Sequence, residues 1–346
     1  MSAAILEAHD VRKVFRTFRR RAGLRGVVEN LVHRRWEQIE ALRGVSLAVS
    51  AGDFVGLIGA NGAGKTTLVK CLTGIVPVSS GTARLFGCDS FHLRDAHKRR
   101  LSLVMGQRSQ LWWDLPPIDS FRLLREIYQV GREEFRRRVH EFAARLEVVP
   151  QLDVALRQLS LGQRMKMEII GAFLHAPELV FLDEPSIGLD LSSRATIRSF
   201  LVELNREQGT TVVLTSHDME DIEDTCRRLV ILQEGSVLFD GDLVELSHRV
   251  SGERAVEIHL EPGSSGWRPA HAGELALLGA RLVREAPLSL TFVVPAQRTQ
   301  VFVKRLFDLY AVRDLNIERE PLEQLVREIF QTRALPARAR AAEDRP

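Results

Sequence analysis

Phe54-Val55-Gly56-Leu57-Ile58-Gly59-Ala60-Asn61-Gly62-Ala63-Gly64-Lys65-Thr66-Thr67-Leu68-Val69 decides how the rest of the chain is read. An apolar run of strand character leads into Gly-x-x-x-x-Gly-Lys-Thr, and a helical pattern leaves it, the context a phosphate-binding loop requires. Glycines at 59, 62 and 64 let the backbone bend closely around an anion. Successive N–H groups and the positive end of a helix then face the phosphates. Gly59, Asn61, Gly62, Ala63, Gly64, Lys65, Thr66 and Thr67 are therefore the candidate nucleotide-binding set. Lys65 is placed to reach the β- and γ-phosphates, and the Thr66 hydroxyl to complete a Mg²⁺ shell. A plain Gly-rich turn is the bland alternative, which the full pattern in its context disfavours.

Working outward, 346 residues of which 45% are hydrophobic leave room for one large domain or two smaller ones with a substantial core. The formal net charge of +3 is small for this length and gives no support for a polyanionic partner. Cys71, Cys88 and Cys226 are odd in number and lack C-x-x-C spacing, which argues against a disulfide framework and a zinc site and fits a reducing cytosol. The first residues carry no basic segment followed by an apolar one, and no run of about 18 apolar residues occurs. A membrane role is expected to come through a partner.

In chain order, Ile5 to Val11 reads as a short edge strand and Val45 to Val49 as a second. Between them, Thr17 to Glu40 reads as an insert. It opens with Arg19-Arg20-Arg21 and sets Leu24, Val27, Val28, Leu31, Val32, Trp36 and Ile39 at helical spacing, a basic amphipathic helix. Such a helix either packs on its own domain with a solvated basic face or docks at an anionic membrane surface. Short strands follow at Thr82 to Phe86 and Leu101 to Met105. Ser109 to about His175 then turns helical, and the sheet resumes with the apolar run Leu179 to Glu184, which ends in two carboxylates. Further alternation to Phe239 makes an α/β fold. Pro262-Gly263-Ser264-Ser265-Gly266 has linker composition, and beyond it strands and helices suggest a small α+β region. Residues 331–346, rich in Ala and Arg, read as a disordered tail.

Two acids, Asp183 and Glu184, end a buried strand. Asp183 is placed to hold Mg²⁺ and Glu184 to polarise a water for attack on phosphorus, although adjacent acids at a strand tip also serve as a helix cap or a solvated pair. His217 in Leu214-Thr215-Ser216-His217-Asp218 ends another strand and so emerges on the same edge of a parallel sheet. On its own such a histidine is more often merely a satisfied polar group.

Gly59 to Thr67, Gln107, Leu159-Ser160-Leu161-Gly162-Gln163, Asp183-Glu184-Pro185, Ser186-Ile187-Gly188-Leu189-Asp190 and His217 come in one order and at characteristic separations. Over residues 4–248 they resemble the nucleotide-binding domain of ATP-binding cassette (ABC) transporters. Within that family, Gln107 to Pro116, the basic insert and the C-terminal region resemble the ATP-binding subunits of ABC-2-type exporters, the viologen-exporter-like group in particular.

The resemblance implies a P-loop NTPase domain at residues 1–248, carrying the basic insert at 17–40 and a helical subdomain at 107–175. A small α+β domain is expected at 249–330. The resemblance further implies a head-to-tail dimer, with an identical or paralogous subunit, that holds two ATP molecules between phosphate loops and signature stretches. In that arrangement Ser160, Gly162 and Gln163 face the opposite nucleotide, and Asp190 communicates across the dimer. Gln107 contacts Mg²⁺ and the attacking water, with Thr66 and Asp183 completing the metal set; His217 holds the γ-phosphate and Glu184 is the general base. Phe15 is the candidate adenine-stacking ring, with Phe18 the alternative and simple core packing open for both.

Leu161 departs from the commonest pattern, which has glycine there, so its side chain is expected to point away from the nucleotide. Permease subunits at the cytoplasmic face of the membrane are the implied partners, and nucleic acid is not. The alternatives are a soluble ABC ATPase acting on ribosomes or nucleic acid, or the subunit of an importer. Trp112, Trp113 and Leu115 either meet the permease or fill the subdomain core.

Overall fold

The computed structural model describes residues 4–18, 36–106, 108–243, 246, 253–263, 267–268, 271–319 and 326. The chain divides into two compact units, Met1–Gly241 and Asp242–Pro346.

In the first unit, β1 (Ala4–Phe18) and β2 (Trp36–Ser50) form a long antiparallel hairpin. The phosphate-loop strand β3 (Phe54–Ile58) is buried along its whole length and leads into α1 (Lys65–Leu72). Then come β4 (Ser80–Leu85), β5 (Cys88–Asp89), α2 (Asp95–Lys98) and β6 (Leu101–Met105). Three helices follow, α3 (Pro117–Tyr128), α4 (Arg132–Arg145) and α5 (Leu161–Phe173). The sheet resumes with β7 (Leu179–Asp183), α6 (Leu191–Gln208), β8 (Thr211–Ser216), α7 (Met219–Thr225), β9 (Arg228–Gln233) and β10 (Ser236–Asp242).

Two sheets result, one ordered β2-β1-β4-β5 and one ordered β10-β9-β3-β8-β7-β6. Leu6, Val11, Leu42 and Val45 from the first pack with Leu57, Phe181 and Val230 from the second around Leu68 and Leu72 of α1, so the helix that begins at the phosphate loop is built into the core. In the second sheet β6, β7, β8, β3 and β9 pair in parallel. Its register sets Met105 against Asp183, Asp183 against Thr215, and Ile58 against Ser216. The chain therefore leaves β3, β6, β7 and β8 on one edge, where ligands bind in parallel α/β sheets.

The second unit is the order β11 (Glu253–Leu260), α8 (Ala272–Leu277), β12 (Arg281–Ala286), β13 (Ser289–Pro295), α9 (Thr299–Leu309) and β14 (Val312–Arg319). Its antiparallel sheet runs β12-β13-β11-β14, the strand order of a split βαβ unit. Val256, Ile258, Leu290, Phe292 and Val294 alternate along the strands and pack on Phe302 and Leu306 of α9.

Two sequence expectations are corrected. The ends of the supposed insert are strand, not helix: Phe18 faces Trp36 and Phe15 faces Ile39 across the hairpin, so Thr17 and Trp36 to Glu40 belong to the sheet. Cross-strand pairing overrides the 3.6-residue spacing of Trp36 and Ile39, while the insert's centre, 19–35, lies outside the described residues. Nor does the Pro262 stretch separate the units, because β11 before it pairs with both β13 and β14 inside the second one. The end of the expected α+β domain, residues 320–330 apart from Val326, and the tail 331–346 also lie outside the described residues.

One half-buried titratable group makes the helical region pH-sensitive. His175, just past α5, stacks on Tyr128 with ring centroids 3.7 Å apart, and burial pushes its pKa down from 6.5 to about 4. The fold thus excludes a proton that the unfolded chain takes up below its ordinary pKa, so stability is complete above that value. It is lost as pH falls towards the folded pKa of about 4, by roughly 3 kcal/mol at most. His175→Gln is expected to flatten the fall of melting temperature across this window, and an unchanged slope would contradict the assignment.

Candidate functional site

At the head of the site the chain turns from β3 into α1 through Gly62 and Gly64, whose φ values of 82° and 107° lie in the left-handed region open to glycine. Gly59 is constrained from behind instead. A Cβ there would fall 2.4 Å from the Leu232 carbonyl oxygen. Asn61 and Gly62 are exposed, whereas Ala63 and Lys65 are buried.

The helices that carry the candidate residues start in different ways. Ser160 caps α5, Asp190 caps α6 and Asp218 caps α7, each accepting an N–H bond through its side chain. The cap of α1 is Gly64, and it has no side-chain acceptor. The first-turn N–H groups of α1 are left for an outside acceptor, and an anion satisfies both them and the helix dipole.

Lys65 and Thr66 point their side chains at the strand tips. Lys65 Nζ donates to the Gly59 carbonyl at 2.7 Å and lies 3.3 Å from Glu184 Oε1. Thr66 Oγ1 donates to Asp183 Oδ2 at 2.8 Å. The buried Thr215 hydroxyl donates to Asp183 Oδ1 at 2.7 Å and accepts from the Glu184 N–H at 2.9 Å. His217 Nδ1 lies 2.5 Å from Glu184 Oε2. Lys65, Thr66, Asp183, Glu184 and His217, singled out from sequence, thus meet in one hydrogen-bonded cluster.

Glu184 has φ 55°, a left-handed conformation that costs a non-glycine residue about 1–2 kcal/mol. Its N–H bonds to the oxygens of Thr215 hold it there, with the backbone carbonyl at 3.1 Å. From the other side Gly106 closes in, donating to the Asp183 carbonyl at 2.8 Å; a Cβ at 106 would lie 2.2 Å from the Glu184 carbonyl oxygen. Gln107 lies outside the described residues.

The signature residues form a second cluster. Ser160 and Gln163 bond reciprocally as a capping box, Ser160 N–H to Gln163 Oε1 at 3.0 Å and Gln163 N–H to Ser160 Oγ at 3.2 Å. Gly162 is where α5 and α6 begin side by side, and a Cβ there would sit 2.4 Å from Ser193 Oγ and 3.3 Å from Asp190 Oδ2. Asp190 accepts from the Ser193 N–H at 2.9 Å and its hydroxyl at 2.8 Å, bonds that hold its carboxyl below the usual range. Leu161 is 42% exposed and its side chain reaches towards Gly188.

Phe15 is 39% exposed with Lys13 Nζ 5.1 Å above its ring, so it is not core; the side chain of Phe18 lies outside the described residues. Trp112 and Trp113 are each 49% exposed, which answers the core reading of both.

The donor set fits ATP with Mg²⁺. Thr66 and Asp183 offer hard oxygen donors, and Mg²⁺ takes one or two protein oxygens beside phosphates and water rather than an all-protein cage. Among the described residues no three His, Cys, Asp or Glu side chains converge on a common metal position. Sequence reasoning missed Thr215, whose hydroxyl serves both acids at once; its position two residues before His217 at a strand tip was the available signal.

Residues 42–187 match the family model described as ABC transporter. The ABC transporter ATP-binding protein NatA of Bacillus subtilis (strain 168) is 29% identical over 208 residues, 60% of this chain and 84% of that protein. The daunorubicin resistance ATP-binding protein DrrA3 of Streptomyces coeruleorubidus is 31% identical over 234 residues, 67% of this chain and 73% of DrrA3. Among solved structures, the ATP-binding cassette MJ0796, a dimer in a post-hydrolysis state with ADP and Pi, aligns with a TM-score of 0.57 and 26% identity. That alignment covers 69% of this chain and 98% of the cassette.

Proposed function

This chain belongs to the ATP-binding proteins of ABC transporters, ATP hydrolases that drive transport, and from that premise we propose that it powers an ABC-2-type exporter of cationic or amphipathic toxic compounds. The cluster of Lys65, Thr66, Asp183, Glu184 and His217 on one sheet edge is the observation that carries the hydrolytic part of this reading. The export part is supported by similarity to a drug-resistance protein.

In this reading the uncapped turn of α1 and Lys65 bind the β- and γ-phosphates. Thr66 and Asp183 hold Mg²⁺, which supplies charge neutralisation at the phosphates. Glu184 takes a proton from the attacking water, and His217, bonded to it, orients that carboxylate and contacts the γ-phosphate. Thr215 fixes both acids through one hydroxyl. Ser160, Gly162 and Gln163 of each chain bind the nucleotide of the other, and Asp190 communicates across the dimer. Inside-out vesicles containing this chain and its permease are expected to take up a cationic dye only with ATP. ATP-driven uptake by right-side-out vesicles instead would reverse the direction.

No helix among the described residues is long and apolar enough to cross a membrane, and in this reading the chain couples to a permease. Trp112, Trp113 and Leu115 are exposed together on the loop that enters the helical region, and exposed aromatics at the centre of an interface carry much of its energy. Backbone bonds hold that loop independently of the rings, from Trp112 N–H to Ser120 Oγ and from Arg157 N–H to the Trp113 carbonyl, both at 3.0 Å. Trp113→Ala is therefore expected to weaken permease association and coupled transport about tenfold while ATPase activity of the isolated subunit stays within about twofold. Equal loss of both, with a lower melting temperature, would refute the docking role.

A further inference from the structure

The loop that leaves β6 is bonded at both ends. At its start, Gly106 donates to the Asp183 carbonyl and lies against the Glu184 backbone. At its far end it meets a carboxylate that the hydrolytic reading leaves unused. Glu168, only 7% exposed on α5, accepts from the Ser109 hydroxyl, from Gln110 N–H at 3.1 Å to each oxygen, and from Leu111 N–H at 3.4 Å. One turn earlier on the same helix face, the Arg164 guanidinium sits 4.9 Å from the Trp113 ring centre.

We propose that Glu168 is a positioning residue that fastens this loop to the helix beginning at Leu161 and Gly162. The nucleotide site a chain builds for itself and the surface it presents to a second chain would then shift together. The proposal rests on the reading of Ser160 to Gln163 as the part applied to the opposite nucleotide.

The chemistry favours positioning over space-filling. Burial holds the Glu168 carboxyl pKa above its ordinary value, and the hydrogen bonds from Ser109, Gln110 and Leu111 offset that rise only in part. An apolar side chain would fill the same volume next to the buried Leu111 without the cost of desolvating a carboxylate. What a carboxylate adds is direction, because all its partners are donors from consecutive residues of one loop. The loop's register against α5 is thereby fixed, and α5 carries the capping box of Ser160 and Gln163 at its start.

Glu168→Gln tests this in the full chain, since the amide turns N–H groups towards donors that need an acceptor. MgATP affinity of the uncomplexed subunit, read with a fluorescent ATP analogue, is expected to stay within about twofold. The ATP concentration for half-maximal hydrolysis is expected to rise about tenfold, because the second chain's contribution is misplaced. Ser109→Ala, which removes one donor and leaves the buried acid intact, is expected to show the same split at about threefold, and it serves if the Gln variant fails to fold. An unchanged half-saturation in a folded variant would overturn the proposal. So would a joint fall of affinity, kcat and melting temperature, the mark of a merely structural residue. A wild-type chain that neither binds nor hydrolyses ATP would sink the underlying reading, whereas an active wild type matched by the Gln variant would sink only this one.

Discussion

Glu184→Gln is expected to lower ATP turnover by about 10²–10⁴-fold while ATP still binds. The substitution keeps the size of a side chain that is 16% exposed and ringed by Lys65 at 3.3 Å and His217 at 2.5 Å. The amide oxygen still accepts from either neighbour. What disappears is the basic oxygen that, in the proposed mechanism, receives a proton as water attacks phosphorus. The backbone at 184 does not depend on the side chain, because its left-handed conformation is held by Thr215 and by the approach of Gly106. Binding, proposed to fall to the turn of α1 and Lys65, is therefore separable from turnover. An ATP-bound dimer should accumulate, visible by size-exclusion chromatography with ATP and absent with ADP. Turnover at the wild-type rate would remove Glu184 from the role of base.

The site was more legible in the sequence than parts of the fold, and for a physical reason. A central parallel strand is buried on both faces and announces itself as an apolar run, as Leu179–Asp183 does with all five residues buried, whereas Leu101–Met105 at the sheet edge alternates buried and half-buried residues. Once those strands are parallel, whatever follows each tip meets whatever follows the others, so Lys65, Asp183, Glu184 and His217 could be brought together from order alone.

The antiparallel parts resisted. The Trp36 to Glu40 stretch carries apolar residues at a spacing that suits a helix, and only its partner, residues Val14 to Phe18, makes it a strand. β11 went unseen because Arg254, Glu257 and His259 interrupt it, and its meaning comes from central position in a sheet formed with later strands. Glu168 was hidden for a related reason. Nothing in the helical pattern of α5 marks one of its acids as buried, since the donors that explain it lie nearly sixty residues earlier, at Ser109 to Leu111.

Lys65→Ala is expected to fail at the earlier step, weakening ATP binding by about 10²-fold, close to 2.7 kcal/mol. Lys65 is 7% exposed, so its ammonium acts where water screens it little. Two separate losses follow from its removal. A charge that the proposed site directs at the β- and γ-phosphates disappears. The Glu184 carboxylate also loses its cationic neighbour and stands, with Asp183, as uncompensated negative charge beside an incoming polyanion. Both effects oppose nucleotide entry, and the second explains why the double variant Lys65→Ala with Glu184→Gln should bind ATP better than Lys65→Ala alone. Removing the carboxylate relieves the repulsion even though the ammonium is still missing. Isothermal titration with MgATP on all three variants checks this. Equal affinity of the single and double variants would show that Lys65 acts on the phosphates alone, and unchanged affinity in Lys65→Ala would take the phosphates out of its reach altogether.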